Sequence, residues 1–334
     1  MPTRISSSPV SRLGSLAQFE SYDSTPAIGT VFPNKDTQLS SLLDAPNADE
    51  LIRDLAVLVS HRGVVFFKDQ EITIEQQKQL GQRLGELTGK PATSKLHKLP
   101  TLSGAPEAQT EVSIISSGVK IARPGSLTKI RASAGWHSDV TFERVTPDYA
   151  ILKLLILPDV GGDTLWASGY EAYDRLSPAF QKFLEGLTAT HDIKGTVFGK
   201  YCENLGLDVN QSRGAPENVG DDMSAVHPVI RTNPVTGLKT LFINKTFTKR
   251  INELTPDESN HVLEYLWRHF AENHDLQVRH RWELNDVAIW DNRVTVHTAT
   301  HDYIGHREGK RVLSLGEKPY FDPSSKSRRE SLGI

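Results

Sequence analysis

Residues 149–157 form a near-continuous apolar run, and this segment narrows the available folds more than any other. A strand wetted on one face alternates apolar and polar residues, whereas a run without alternation belongs to a strand covered on both faces. The flanking pattern says what could cover it. Upstream, Leu51, Leu55, Leu58 and Val59 fall at helical spacing over 47–61, with Gly63 placed to end the helix. Residues 64–67 read as a short strand, and Thr73-Ile-Glu-Gln76 is a capping box opening a second helix to about Leu87. Downstream, 226–232 and 238–244 flank the turn chemistry of Asn233-Pro-Val-Thr-Gly237, which predicts a hairpin. Thr255-Pro-Asp-Glu258 starts a further helix to about Glu272, and 287–290 and 312–315 are strands. Helices early and once late, with many strands after Trp136, predict an α+β chain with a β-sandwich or barrel core rather than alternating βαβ units. G-x-G-x-x-G, Walker A and G-x-S-x-G motifs are absent, so dinucleotide, P-loop and hydrolase-elbow readings lack support.

Residues 1–35, rich in Ser, Pro and Thr, read as an irregular arm, 36–322 as a single domain, and 323–334 as a polar, solvated tail. The stretch 88–132 has weak periodicity and is long for a loop, as lids and binding segments often are. At 37% hydrophobic the 334 residues can build a core without a disulfide or metal staple. A net charge of -3 presents no basic field, so no nucleic-acid partner is expected. The single cysteine, Cys202, cannot form an intramolecular disulfide and leaves any metal to nitrogen and oxygen ligands. No apolar run of membrane length occurs and 1–20 lack a signal-peptide core, so a cytoplasmic protein without a membrane partner is expected. The sequence leaves a homo-oligomer open.

His137-Ser-Asp139 is the only H-x-D in the chain. On a strand, residues i and i+2 project to one face, so an imidazole and a carboxylate can grip one ion. A third ligand from a distant strand would complete two His and one carboxylate with open positions, the arrangement of non-haem Fe(II) oxygenases. Among twelve histidines one such pair arises readily by chance, and a rival pair, His306 and Glu308, reads as a solvated stretch. H-E-x-x-H is absent, which argues against a zincin.

The company of His137 is more specific. Trp136-His-Ser-Asp-Val-Thr-Phe142 is followed by Gly161-Gly-Asp-Thr-Leu-Trp-Ala-Ser-Gly169, then by Trp290-Asp-Asn-Arg-Val-Thr-Val-His297, His301-Asp-Tyr303, Arg307 and Arg311. From about residue 40 to Pro319 this order resembles the taurine/2,4-dichlorophenoxyacetate dioxygenase family of Fe(II)/2-oxoglutarate enzymes. The resemblance implies a double-stranded β-helix, or jelly-roll, core with flanking helices. It also implies a dioxygenase domain over 36–322 that uses Fe(II), 2-oxoglutarate and O2 on a small molecule. Matched motif to motif, His137, Asp139 and His297 become the iron ligands and catalytic centre. Thr164 and Arg307 become the residues that hold the distal carboxylate of 2-oxoglutarate, for which a hydroxyl and a guanidinium fork are suited. The interval from His297 to Arg307 is one residue shorter than in the taurine enzyme.

Arg311 matches an arginine that holds a substrate anion in sulfonate-using members, and no acidic residue between Glu308 and Glu317 offers it a local partner. Phe198 and Phe247 fall where the family places pocket aromatics, and His227 matches a histidine read as structural. Lys90, Thr93 and Ser133 stand where the taurine enzyme has His, Tyr and Asn, which speaks against taurine itself. Lys90 and Ser133 are therefore expected beside Arg311 in a site for a sulfonate, sulfate ester or carboxylate. The alternative is a biosynthetic tailoring oxygenase that desaturates or cyclises an amino acid or heterocycle with the same iron chemistry.

Overall fold

A computed structural model describes residues 9–99, 111–117, 131–196, 199–200 and 210–334. Fifteen strands among them, numbered in chain order, form four sheets. The largest runs β1 (Tyr22–Asp23), β2 (Thr30–Phe32), β3 (Val64–Phe67), β13 (Val287–Asp291), β5 (Pro147–Ile156), β15 (Glu308–Leu315), β4 (Val112–Ser116). Its pairings are antiparallel except that of β2 with β3. Two three-stranded sheets run β12 (Gln277–His280), β6 (Thr164–Ser168), β14 (Thr295–Ala299), and β11 (Thr248–Ile251), β7 (Thr188–Asp192), β8 (Ser224–Pro228). The fourth is the expected hairpin, β9 (Ile230–Thr232) with β10 (Lys239–Leu241). Asn233 Oδ1 accepts the Val235 and Thr236 N–H groups in its turn.

The apolar run is β5, in the middle of the large sheet, and its alternate residues enter two different cores. Tyr149 and Ile151, with Val65, Phe67, Val287 and Ile289, face three helices, α1 (Leu39–Asp44), α2 (Ala48–Arg62) and α3 (Ile74–Glu86). Ala150, Leu152 and Leu154, with Phe66, Ala288 and Trp290, turn the other way onto Trp166 of β6 and Val278 of β12. The outward residues Ala167 of β6 and Val296 of β14 in turn pack on Leu263, Leu266 and Phe270 of the helix Pro256–Glu272. The order of layers is thus helix, sheet, apolar interior, smaller sheet, helix. Inward residues of both sheets meet in the interior, and there the site is built. No helix among the described residues is long and apolar enough to cross a membrane.

Three expectations need correction. The arm over 1–35 is not irregular throughout, because β1 and β2 extend the large sheet and Phe32 stacks on Phe67 at 4.5 Å. Strands of two and three residues are too short to show a period, so the sequence pattern could not reveal them. The tail over 323–334 is not free. Ser327 and Glu330 form a capping box on the helix Arg328–Leu332, Lys326 bridges to Leu238, and Arg328 Nη1 donates to Ala27 O at 2.7 Å. Within 88–132, β4 forms the edge of the large sheet beside β15, while 100–110 and 118–130 lie outside the described residues.

The predicted capping box of Thr73 with Gln76 is present, and Thr255 with Glu258 forms a second at the predicted helix start. Gly63 at φ 76° ends α2, its N–H donating to Val59 O. Thr255→Ala removes one cap from the helix that backs the smaller sheet, and should cost about 1 kcal/mol. A lowered urea midpoint at unchanged slope is the expected result. An unchanged midpoint would mean that the box contributes nothing in the folded chain.

Candidate active site

His137 and His297 are paired backbone to backbone. His137 N–H donates to His297 O at 2.9 Å, and His297 N–H donates to His137 O at 2.7 Å. His297 lies on β14, whose neighbour Val296 points outward, so its ring turns into the interior. Asp139 follows two residues after His137, but in a turn after a single bridge rather than on the strand expected from the H-x-D pattern. One ligand atom from each of the three lies within 4.8 Å of the others, and no other such trio occurs among the described residues.

The donor chemistry fits a divalent cation. His137 Nδ1 sits 2.8 Å from Gly135 O, and a carbonyl only accepts, so the ring proton is on Nδ1 and Nε2 keeps its lone pair. His137 Nε2 is 3.5 Å from Asp139 Oδ1, and His297 Nε2 is 3.9 Å from Asp139 Oδ2. Burial, together with the neighbouring His137, pushes His297 down to about 3. It is therefore the neutral imidazole that a metal ligand must be. Burial would raise Asp139, but Arg311 and the two imidazoles outweigh it and hold the carboxyl well below the usual range. Asp139 Oδ2 is buried without a hydrogen-bond partner. An orphaned carboxylate oxygen 3.9 Å from the His297 nitrogen is costly unless a cation meets it.

Asp139 is aimed by residues to which the sequence reading gave no role. Asn292 Oδ1 accepts the Asp139 N–H at 2.8 Å, and Asn292 Nδ2 donates to Asp139 O at 2.9 Å. Val140, next in the chain, has φ 56°, an outlier for a β-branched residue. Strain of this kind costs about 1–3 kcal/mol and persists only where the surroundings enforce it. Here Thr141 is held on every side, its hydroxyl by Asn244 Nδ2 at 2.9 Å and His191 Nδ1 at 3.0 Å, and its carbonyl by His227 Nε2 at 2.9 Å. His227 is thus structural, as read. Asn292 stood in full view inside Trp290-Asp-Asn-Arg293 and was the available signal.

Arg307 and Thr164 are brought together. Arg307 is buried, with Nη2 3.4 Å from Thr164 Oγ1 and Nε donating to Gly162 O at 2.9 Å. Those contacts explain the paired glycines of Gly161-Gly-Asp-Thr164. A Cβ at Gly162 would lie 3.0 Å from Arg307 Cδ, and one at Gly161 would lie 2.8 Å from Asp302 O. Arg311 faces the interior opposite Leu152. It does have a partner, a distant one that no local reading could find: Nη1 donates to Asp139 Oδ1 at 2.6 Å. Phe247 stands edge-on to His137 at 6.2 Å and to Phe142 at 5.1 Å. Ser133 is half-buried on the turn Ala132–Ala134, tied to β14 where Thr298 Oγ1 donates to Ala132 O.

Other expected residues are not assembled there. Lys90 packs under Gly85 of α3, where Nζ donates to Ser314 Oγ at 2.8 Å and Gln82 Oε1 at 3.1 Å beside the buried Asp148. That is the helix-covered side of β15, because Val312 there packs beneath Gly81, so Lys90 is not at the site. Residue type alone suggested an anion contact, but a lysine stem reaches either side of a strand. Thr93 is exposed, and Phe198 lies outside the described residues. His306 pairs with Glu308 at the surface, as expected of a solvated stretch.

Residues 20–314 match the family described as taurine catabolism dioxygenase TauD, TfdA family. The chain belongs to it. The chain is 46% identical to the Alpha-ketoglutarate-dependent dioxygenase btcD of Neocamarosporium betae, over 97% of this chain and 98% of that one. It is 35% identical to the Alpha-ketoglutarate-dependent sulfonate dioxygenase of Saccharomyces cerevisiae, over 85% and 64%. The crystal structure of a taurine dioxygenase from Burkholderia xenovorans aligns with a TM-score of 0.66 at 27% identity, covering 92% of each chain. The protein is accordingly a 2-oxoglutarate-dependent dioxygenase that uses Fe(II), 2-oxoglutarate and O2.

Two outcomes follow for this dioxygenase. Asn292→Ala should weaken anaerobic Fe(II) binding at least about tenfold, because Asp139 loses both backbone holds; wild-type affinity in a metal titration would remove Asn292 from that role. Burial, with Arg231 nearby, pushes His227 down to about 3 from its ordinary 6.5. The unfolded imidazole takes up a proton that the folded one refuses. The stability this contributes is full above pH 6.5 and lost as pH falls from there toward 3. Urea midpoints measured from pH 7 to 5 should fall, and fall less steeply in His227→Gln; equal slopes would contradict the assignment.

Proposed function

We propose that this dioxygenase hydroxylates a small anionic molecule, with Fe(II) held by His137, Asp139 and His297. Arg307 and Thr164 take the distal carboxylate of 2-oxoglutarate, Arg311 takes the substrate's anion, and Ser133 and Phe247 line the remaining pocket. The layered packing supports reading the core as a double-stranded β-helix, in one domain over 36–322 joined by the N-terminal strands. Bound there, iron and 2-oxoglutarate supply the activation of O2, with succinate and CO2 released. The chain's own part is to hold the substrate's C–H beside the metal and to keep water out, with Trp166, Trp290 and Phe247 walling the histidines.

The observation that carries the anion reading is the balance of buried charge. Fe(II) with Asp139 leaves one positive charge, and 2-oxoglutarate with Arg307 leaves one negative. Those cancel, both histidines being neutral ligands, and Arg311 remains. Asp139 cannot neutralise the metal and Arg311 together, and an unbalanced, largely enclosed guanidinium favours an anion. The name of the Saccharomyces relative, a sulfonate dioxygenase, is in keeping with this.

The test is succinate formation and O2 uptake with sulfonates, sulfate esters, carboxylates and neutral heterocycles, with product masses. Anions should stimulate turnover, and taurine should be poor. Arg311→Leu should cut stimulated O2 uptake by more than about a hundredfold. It should keep or tighten Fe(II) binding, because Asp139 loses a competing cation. Efficient turnover of an uncharged compound, unaffected by Arg311→Leu, would sink the anion reading in favour of the tailoring alternative. His137→Ala, Asp139→Ala or His297→Ala with unchanged iron affinity would sink the ligand assignment.

A further inference from the structure

Trp282 lies just beyond β12, buried, with its ring 6.2 Å from Trp166 and edge-on to His280 at 5.0 Å. Its Nε1 donates to Thr164 Oγ1 at 3.0 Å. An indole nitrogen is a donor only, so Thr164 must accept in that bond and cannot direct its own proton to Trp282. The other group near the same oxygen, Arg307 Nη2 at 3.4 Å, is also a donor only. With N–H groups directed at its lone pairs, the hydroxyl keeps one unused capacity, its hydrogen, and among the described residues none accepts it.

We propose that Trp282 is a positioning residue for the co-substrate. By occupying Thr164 Oγ1 as a donor, it makes the hydroxyl donate in turn to the distal carboxylate of 2-oxoglutarate. The inference rests on Thr164 and Arg307 forming that subsite. A carboxylate only accepts, so a threonine rotor turned the wrong way would set a lone pair against it. A rotor without Trp282 is free to do so, whereas one clamped by an indole N–H is already set before the ligand arrives. Trp282 therefore contributes to affinity without touching the co-substrate, which separates it from the two residues that do.

A double-mutant cycle on the full-length protein tests this, reading the 2-oxoglutarate Kd from the visible band of the anaerobic Fe(II) complex. Trp282→Phe should weaken 2-oxoglutarate about tenfold when Thr164 is present, and less than about twofold in the Thr164→Val background. Fe(II) affinity without co-substrate should be unchanged, and Thr164→Ser, which keeps the hydroxyl, should bind like wild type. An equal loss in both backgrounds would show that Trp282 merely packs, and no loss in either would show that it does nothing here; both overturn the proposal. If neither Thr164→Val nor Arg307→Leu weakens 2-oxoglutarate, the subsite itself is misplaced, a failure recognisable before Trp282 is touched. Trp282→Leu, which also lacks the donor, repeats the cycle if the phenylalanine variant does not fold.

Discussion

Two backbone hydrogen bonds exchanged by His137 and His297 are the constraint on which the site depends. They join segments far apart in sequence, so they form only once the intervening chain has closed over the interior. From that bridge the rest is set by strand register. β14 pairs with β6 so that His297 lies opposite Trp166 and Ala299 opposite Thr164. One step along the pleat on β6 therefore separates the Thr164 hydroxyl, proposed to hold the co-substrate, from the ring beside His297, a fixed offset of roughly 7 Å. A one-residue slip would turn His297 to the outer face, among the aliphatic side chains of the helix Pro256–Glu272. His297 and Thr164 are thus held in one frame by strand pairing, while Asp139 is set by its turn.

The same frame gathers charge that a dry interior would otherwise reject. Asp139 and Arg311 meet from two distant segments, and Arg307 is buried beside Thr164 on a third. Arg311 bonds Oδ1 and leaves Oδ2 without a hydrogen bond 3.9 Å from His297 Nε2, so the fold tolerates Asp139 while a coordination position stays available. Arg307 is held by a carbonyl and a hydroxyl rather than by an acid, which leaves its charge for a ligand.

What could be read in the sequence was whatever is locally encoded. The caps at Thr73 and Thr255, the stop at Gly63 and the hairpin at Asn233 are contacts within a few residues, and each is present. The metal trio was legible because a motif and a family order carried it, and the structure gathers those three residues. Missed features depend on distant partners. Arg311 looked unpaired because Asp139 lies on another segment, and Lys90 looked like an anion ligand because nothing in its neighbourhood reveals Asp148 and Ser314. Asn292 was visible inside the Trp290–His297 motif but its backbone partner lies at Asp139, and Trp282, in a polar stretch, has no spacing to distinguish it from packing. Strands as short as β1 and β2 escaped for lack of length.

The H-x-D reading reached the right residues by an incomplete argument, and Val140 shows what was missing. Residues i and i+2 of a pleated strand do share a face, but their Cα atoms lie roughly 7 Å apart with side chains standing parallel. Ligand atoms on such stems meet one small ion only where the side chains lean toward each other. In this chain the extended backbone ends at the single His137 bridge, and Asp139 begins a turn that the positive φ of Val140 tightens. That turn swings the carboxylate back, so that Oδ1 comes within 3.5 Å of His137 Nε2. The strain at Val140 is thus the local cost of convergence. It is sustained by the amide of Asn292 on one side and by Asn244, His191 and His227 on the other. A buried histidine that never meets the metal, and an asparagine that holds only backbone, are in this sense as necessary to the geometry as the ligands.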